Sequence, residues 1–196
     1  MPHPQPIFFA LALATGLQAA LPSLADTSTI YSQDFDGLIL AGTSDFSTLP
    51  IGWNVVESGT NANTSLAADS GQSNTGNTYS FGNLGSTDRA LGLLASGSLT
   101  GRIEFRVVNG TGKTVDSVRV KFHAEQWRLG SSTTDSMKAS FQINHGSSTP
   151  VMSLTIHVDQ GNTNARNPNA NTNAQLIESV VAVKLDSADT LVLAWT

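Results

Sequence analysis

The most chemically varied segment of the chain is FHAEQWRLG, at residues 122–130, in a sequence that otherwise contains few charges. Strand alternation would place His123 and Glu125 on one face, where they could form a metal pair or an acid/base pair. A metal site also needs a third ligand and neighbouring groups that orient the ligands, and the sequence identifies no such partner. We therefore interpret the two side chains as part of a solvated strand face.

The same segment has a structural interpretation, in which it ties strands together. Arg89, in STDRALGLL, shares its parity with two following leucines, which predicts a side chain directed toward packed residues. A buried guanidinium requires a carboxylate that accepts its paired donors. We expect Glu125 to form this ion pair, Trp127 to shield it, and Arg128 to hold a loop carbonyl. Strand alternation places Glu125 on the solvated face, whereas the ion pair requires it to point toward Arg89. A β-bulge at residues 124–126 would reconcile the two requirements.

Tryptophan side chains are the candidates for a ligand platform, since sugar binding requires exposed aromatic rings. Trp127 is the first candidate and Trp53 the second, with Arg128 as the adjacent polar group. The structural interpretation of residues 122–130 is favoured over this one.

Asp34 and Asp36, in SQDFDGL, share a face and could offer oxygen ligands to calcium. Calcium takes six or more oxygen ligands, so two carboxylates alone are a weak signal. Pairing of the two aspartates with loop amides is the favoured account, and no cofactor is predicted.

Composition and motifs argue against two functional classes. The chain has no G-x-S-x-G elbow, no H-E-x-x-H, no phosphate loop and no cysteine, so we predict that it is not an enzyme. Ten Lys and Arg residues stand against fifteen Asp and Glu, for a net charge of −5, and none of the ten precedes Arg89. No basic stripe is present that could neutralise phosphates, so nucleic-acid binding is disfavoured.

The first 25 residues are predicted to be a signal peptide. The stretch IFFALALATGLQAALPSLA is apolar, and it ends with Ser23 and Ala25 at positions −3 and −1 of a cleavage site before Asp26. A transmembrane anchor is the rival interpretation, but Gln18 and Pro22 interrupt a run that is already short for a span. We expect a secreted mature protein that forms a single domain over residues 26–196, without a membrane span.

The mature chain is predicted to be all-β. GRIEFRVV and SVRVKFHAEQW alternate with period 2 on either side of Asn109-Gly110, which predicts a hairpin. Further strands are expected in TIYSQDF, GWNVVE, TYSFG, MKASFQIN, VMSLTIHV, LIESVVAVKL and TLVLAWT, and surface loops at residues 58–77 and 159–175. Many short strands with polar connections are typical of an antiparallel β-sandwich of jelly-roll type.

Several segments carry a family resemblance in their order along the chain: FDGL, LPIGW, TYSFGNLGSTDRALGLLASGS, VVNGTGKTVDSVRVKFHAEQWRLG and TLVLAWT. Together they resemble a secreted bacterial β-sandwich module of the kind found in PEP-CTERM-sorted exported proteins and ahead of some extracellular nuclease-like or phosphatase-like domains. STDRALG with EQWR is the most specific part. The resemblance implies export from a Gram-negative bacterium and a non-catalytic module at the cell surface or in the medium. It supplies no catalytic residues.

The chain departs from this pattern at its end, because such modules continue past the tryptophan of LVLAWT into a further strand. We therefore expect a sandwich that lacks its last strand, as a fragment or as a truncated reading frame. A missing strand would expose an edge strand, through which the protein could oligomerise. The expected function is a structural or adhesive role at the cell surface or in the extracellular matrix, with a glycan or a surface protein as partner. The alternative is a carbohydrate-binding module originally attached to a secreted hydrolase.

Overall fold

The computed structural model describes residues 20–129, 136–158, 165–168 and 174–196. Within these residues the chain forms strands and two short 3-10 helices, at Phe46–Thr48 and Met152–Leu154, which confirms the all-β class. The strands are β1 (Ser23–Leu24), β2 (Thr43–Asp45), β3 (Trp53–Ser58), β4 (Ser65–Asp69), β5 (Asn77–Phe81), β6 (Ala90–Leu94), β7 (Thr100–Asn109), β8 (Val115–Glu125), β9 (Ser136–Met137), β10 (Ala139–Ile143), β11 (Thr149–Pro150), β12 (Ile156–His157), β13 (Ala174–Leu185) and β14 (Thr190–Trp195).

The strands are arranged in a large sheet and three smaller ones. The large sheet has the order β1-β7-β14-β10-β11, and β3 also pairs with β7. The smaller sheets have the orders β2-β4-β5-β6, β13-β8 and β12-β9. All pairings are antiparallel except β1 with β7 and β4 with β5. This arrangement is compatible with an antiparallel β-sandwich.

The core lies between the large sheet and the smaller ones. Alternate residues of β7, such as Phe105 and Val107, face β8 and β13, where Val181 and Leu185 are buried against them. Ile103, also on β7, belongs to a second cluster that includes residues of β3 and β4. The large sheet therefore packs against both β8–β13 and the four-stranded sheet. Its apolar side chains can face these layers together because they alternate along β7 with polar side chains on the outer face.

The predicted hairpin between residues 101–108 and 117–127 is wrong. β7 pairs with β3, β14 and β1, whereas β8 pairs with β13 in a different sheet. The chain crosses between them beside Asn109, whose buried amide donates to the carbonyls of Lys113 (2.7 Å) and Leu185 (2.9 Å). These bonds hold the end of β7 against the end of β13, which is the partner of β8. Strands β7 and β8 therefore lie in opposite layers, although both alternate with period 2.

Local patterns also misplaced some elements. TIYSQDF forms no strand, whereas β4 lies inside the stretch of residues 58–77 that we expected to be a surface loop. β6 was not among the predicted strands, and it pairs antiparallel with β5. The second predicted loop, residues 159–175, falls mostly outside the described residues, and its last two residues begin β13.

The predicted signal peptide is only partly described. Residues 1–19 lie outside the described part, whereas Ser23–Leu24 form β1. The carbonyls of Pro22 and Leu24 accept hydrogen bonds from the amides of Val108 and Gly110, each at 2.9 Å. Cleavage before Asp26 would remove these bonds from the edge of β7, and it stays a prediction. None of the helices in the described residues is long and apolar enough to span a membrane.

Candidate functional site

Trp127 lies in the interior of the protein, where its side chain is only 3% exposed. Strand β8 ends at Glu125, so the chain leaves the strand alternation just before this tryptophan. The indole stacks on Phe81, with ring centroids 6.1 Å apart and an interplanar angle of 7°, and Tyr79 completes the cluster. Trp127 therefore lacks the exposed ring that a ligand platform requires.

A close approach between Phe81 and Gly92 makes this stack fit on the four-stranded sheet. A Cβ atom at Gly92 would lie 2.7–2.8 Å from two carbons of the Phe81 ring, which is too close for a side chain. The bare glycine therefore leaves room for the Phe81 ring beside β6, and Trp127 stacks on that ring. Trp127 thus packs on the four-stranded sheet.

Glu125 pairs with the indole and not with an arginine. Its Oε2 accepts a hydrogen bond from Trp127 Nε1 at 2.9 Å. Burial raises the pKa of Glu125, and the charge of Asp88 adds to this effect against the opposing Trp127 hydrogen bond and the charge of His123. The register with β13 has no bulge at Ala124 or Glu125, where β8 ends, and its irregularity lies instead between Ala182 and Leu185.

The raised pKa of Glu125 leads to a pH-dependent prediction for Glu125→Gln. A carboxyl whose pKa is higher in the folded state binds its proton more tightly there, so folding stability falls as pH rises from the unfolded pKa through the folded one. Glutamine does not ionise, so the substitution removes this loss of stability, and its side-chain oxygen can still accept the hydrogen bond from Trp127. Thermal melting should therefore show a larger advantage of Glu125→Gln over wild type at pH 7 than at pH 4.

The control for this experiment is Asp116→Asn, which removes one charge from an exposed position on the same strand. The difference in melting temperature between Asp116→Asn and wild type should not increase from pH 4 to pH 7. An advantage of Glu125→Gln that is equal at both pH values, or larger at pH 4, would contradict the assignment.

Arg89 is buried as predicted, at 4% exposure, but its partners differ from the expected one. Its Nε donates to Ser80 Oγ at 2.9 Å, its Nη2 donates to the Ser80 carbonyl, and its Nη1 lies 3.5 Å from the Asn83 carbonyl. Burial lowers the pKa of Arg89, against the opposing charges of Asp69 and Asp88.

The predicted Arg89–Glu125 ion pair does not form. Among the described residues, the ion pairs are Arg102–Glu104, Arg106–Glu104, Arg119–Glu178 and Lys121–Glu178. Carbonyl and hydroxyl oxygens of β5 and the loop after it take the place of the carboxylate. They can do so because the chain at Gly82 passes so close to the guanidinium that a Cβ atom there would overlap it.

Arg128 holds loop carbonyls, as the structural interpretation expected. Its Nη1 donates to the carbonyls of Gly71 at 2.9 Å and Gln72 at 3.2 Å. Gly71 has a φ of +82°, and a Cβ atom there would overlap the Trp127 carbonyl. That carbonyl accepts from the Arg166 amide at 2.8 Å, so residues 126–128 connect two loops to the sheet. The segment acts as a structural tie.

Trp53 also lies among packed aromatic side chains. Its ring centroid is 4.7 Å from that of Phe35, 5.1 Å from that of Phe105 and 6.5 Å from that of Trp195. The indole Nε1 donates to the Tyr31 hydroxyl at 2.9 Å. Its aromatic neighbours place Trp53 at the junction of the two main core clusters, which gives it a packing role.

Asp34 and Asp36 bind backbone amides. Asp34 Oδ1 accepts from the Asp36 amide at 3.1 Å, and Asp36 Oδ1 accepts from the Arg89 amide at 3.3 Å. In the described part of the chain, no group of three or more His, Cys, Asp or Glu side chains could hold a metal ion. The two aspartates thus join the loop before β2 to the start of β6.

A buried charge cluster that was not predicted from the sequence lies on the outer face of the large sheet. Glu104 is 6% exposed and lies 2.7 Å from both Arg102 Nε and Arg106 Nη2. Burial raises its pKa, but the hydrogen bond and charge of Arg106, the charge of Arg102 and a hydrogen bond from Asn54 outweigh burial and hold the pKa below its usual value. The alternation in RIEFR contained the signal, since it places all three side chains on one face.

Among the surface regions formed by the described residues, two combine several basic side chains and could meet a ligand. The first, which we call the ribbon, is the outer face of β8 and β13. The second is a groove of about 530 Å³ at the β10–β11 corner of the large sheet, lined by Arg102, Lys138, His157 and several Ser and Thr side chains.

The ribbon carries Arg119, Lys121 and His123 on β8, opposite Val180, Glu178 and Leu176 on β13. Glu178 lies 2.8 Å from Arg119 and 3.8 Å from Lys121. The two aliphatic side chains are 59% and 55% exposed, respectively. The ribbon therefore presents cations and apolar surface on a protein whose net charge is −5.

Comparison with known proteins identifies no relative. No protein-family model, no curated protein and no solved structure matches this chain.

Proposed function

We propose that the chain is a secreted, non-catalytic β-sandwich module with a structural or adhesive role at the cell surface or in the extracellular matrix. The ribbon is the observation that carries this proposal. Its inward side chains, such as Phe122 and Val181, pack in the core. Its outward residues are exposed from Ser117 to His123 on β8 and from Ala174 to Lys184 on β13. A surface anchored in this way is rigid, and rigid surfaces lose little conformational freedom on binding.

The buried ionisable groups support the same proposal. Glu104 is held by two arginines, Arg89 by carbonyl and hydroxyl oxygens, and Glu125 by an indole N–H. Arg89 joins the start of β6 to β5 and the loop after it, whereas the contacts of Glu104 and Glu125 hold their own segments in place, so each buried charge has a fixed partner. The resemblance to modules of PEP-CTERM-sorted proteins supports export of this scaffold to the cell surface or the medium.

Adhesion can be tested with fluorescent beads coated with the purified protein and applied to washed cells and extracellular matrix of the producing bacterium. We expect the wild-type beads to be retained. The double substitution Arg119→Ser with Lys121→Ser should reduce retention about tenfold, since it removes the exposed cations of β8. Lys138→Ser, in the groove, is the matched control and should leave retention unchanged. Equal retention of wild-type beads and uncoated beads would contradict an adhesive role.

Carbohydrate binding is the second candidate, and the groove is the observation that favours it. Its volume is in the range of ligand sites, and its lining combines Lys138, His157 and the Glu104-paired Arg102 with Ser and Thr hydroxyls and with the apolar side chains of Ala139, Pro150 and Met152. This chemistry suits an acidic saccharide, whose carboxylates or sulfates would face the cations. The site differs from the predicted tryptophan platform, because Trp127 is buried and Trp53 is partly buried against the two main core clusters.

A glycan array with neutral, uronic-acid and sulfated saccharides separates the two candidates. If the ribbon is the adhesive surface, any acidic saccharide that the array retains should be lost when Arg119 and Lys121 are replaced and kept in Lys138→Ser. Retention of acidic saccharides that is lost in Lys138→Ser, and kept when Arg119 and Lys121 are replaced, would favour the carbohydrate-binding module instead.

A further inference from the structure

In the part of the chain that the structure describes, β8 is an edge strand of the ribbon. Within the described residues β8 has β13 as its one neighbouring strand. β13 differs from β8 in that its side chains contact a neighbouring segment, since Ser179 Oγ lies 2.7 Å from Ser153 Oγ and Gln175 Nε2 donates to the His157 carbonyl at 3.3 Å. A strand of eleven residues, β8, therefore presents backbone N–H and C=O groups along one side, which is a template for a further strand.

Two rows of side chains border this edge and define what could lie beside it. Arg119, Lys121 and His123 point outward, whereas Val120 and Phe122 point inward and are only partly buried at the rim of the core. A strand added beside β8 would place its outward side chains next to the cations and its inward side chains over the rim of the core. The fitting sequence alternates acidic residues with aliphatic ones.

A second copy of this chain fits the edge poorly. If β8 paired antiparallel with itself about Val120, Arg119 of each copy would face Lys121 of the other. Like charges directly opposite each other on neighbouring strands are destabilising, and cations on edge strands are a known protection against self-pairing. The acid available on β13, Glu178, already lies near both cations.

We propose that the edge of β8 captures an extended segment of a partner protein that alternates acidic and aliphatic residues, by adding it to the ribbon as a third strand. Backbone hydrogen bonds supply the affinity in this mode of recognition, and the alternate side chains supply the specificity. The inference rests on the proposed adhesive function and assigns to it the chemistry of the partner.

The test uses a synthetic peptide as long as β8 that alternates glutamate with valine, labelled for fluorescence anisotropy. We expect the full protein to bind it, and Arg119→Glu with Lys121→Glu to bind at least about tenfold more weakly, because two attractive pairs become repulsive. The same peptide with lysine in place of glutamate should show the reverse preference and bind the doubly substituted protein. Lys113→Glu with Lys184→Glu changes the net charge equally, away from the edge, and should bind the glutamate peptide like wild type.

Three outcomes would overturn the proposal. A peptide methylated on alternate backbone nitrogens that binds as well as the parent would show that no strand is added. Binding of a uronic-acid polysaccharide, lost in Arg119→Glu with Lys121→Glu while the peptide never binds, would identify a polyanion as the ligand. Dimerisation of the wild type that the same substitutions abolish, without peptide binding, would identify a second copy. If beads coated with the protein still adhere in any of these cases, the proposed adhesive function holds, and the acidic peptide segment is not the partner that the ribbon binds.

Discussion

Trp127→Ala should lower the free energy of unfolding by about 3–5 kcal/mol, the range for removing a large buried aromatic side chain. The indole is buried against Phe81, and its removal would open a cavity over β5 and β6. It would also remove the hydrogen bond that the indole N–H donates to the Glu125 carboxylate. Equilibrium denaturation in urea, followed by circular dichroism, measures the change.

Trp127→Phe is the matched control for this experiment. Phenylalanine retains an aromatic ring against Phe81 but cannot donate to Glu125, so we expect a smaller loss of about 1–2 kcal/mol. If Trp127→Ala were as stable as wild type and had instead lost binding to a saccharide, the packing role assigned to Trp127 would be wrong.

Arg89→Ala is the second substitution with a large expected effect, a loss of about 3 kcal/mol in the free energy of unfolding. The side chain is almost fully buried, and its removal leaves the Ser80 carbonyl and hydroxyl without the donor that satisfies them. Glu125→Ala should cost only about 1 kcal/mol, because it removes one hydrogen bond from Trp127 and strands no arginine.

A double-mutant cycle joins the two positions. Because Arg89 and Glu125 have separate partners, the losses of Arg89→Ala and Glu125→Ala should add to within about 0.5 kcal/mol. A coupling energy well above this value would show that the two side chains form the ion pair in solution. Arg89→Lys tests the role of the guanidinium itself, and it should lose stability because an ammonium cannot donate to Ser80 in the same forked geometry.

Some features of the candidate site could be predicted because they depend on neighbouring residues in the sequence. Period-2 alternation placed β7, β8 and β13 correctly as strands, and the parity of Arg89 with two leucines predicted its burial. The RIEFR pattern could have revealed the Glu104 cluster by the same reasoning. Each of these inferences uses the geometry of a single strand, in which successive side chains point to opposite faces.

The sequence by itself determined the all-β class, the inward faces of the long strands and the attachment of Arg128 to loop carbonyls. Only the tertiary structure decided which strands pair and which partner each buried group finds. Alternation is the same for every neighbour that a strand could have, so it could not show that Asn109 directs β7 and β8 into opposite layers. Likewise, Arg89 required acceptors, but oxygens of Ser80 and Asn83 met that requirement instead of Glu125 because β5 and its following loop pass beside the guanidinium.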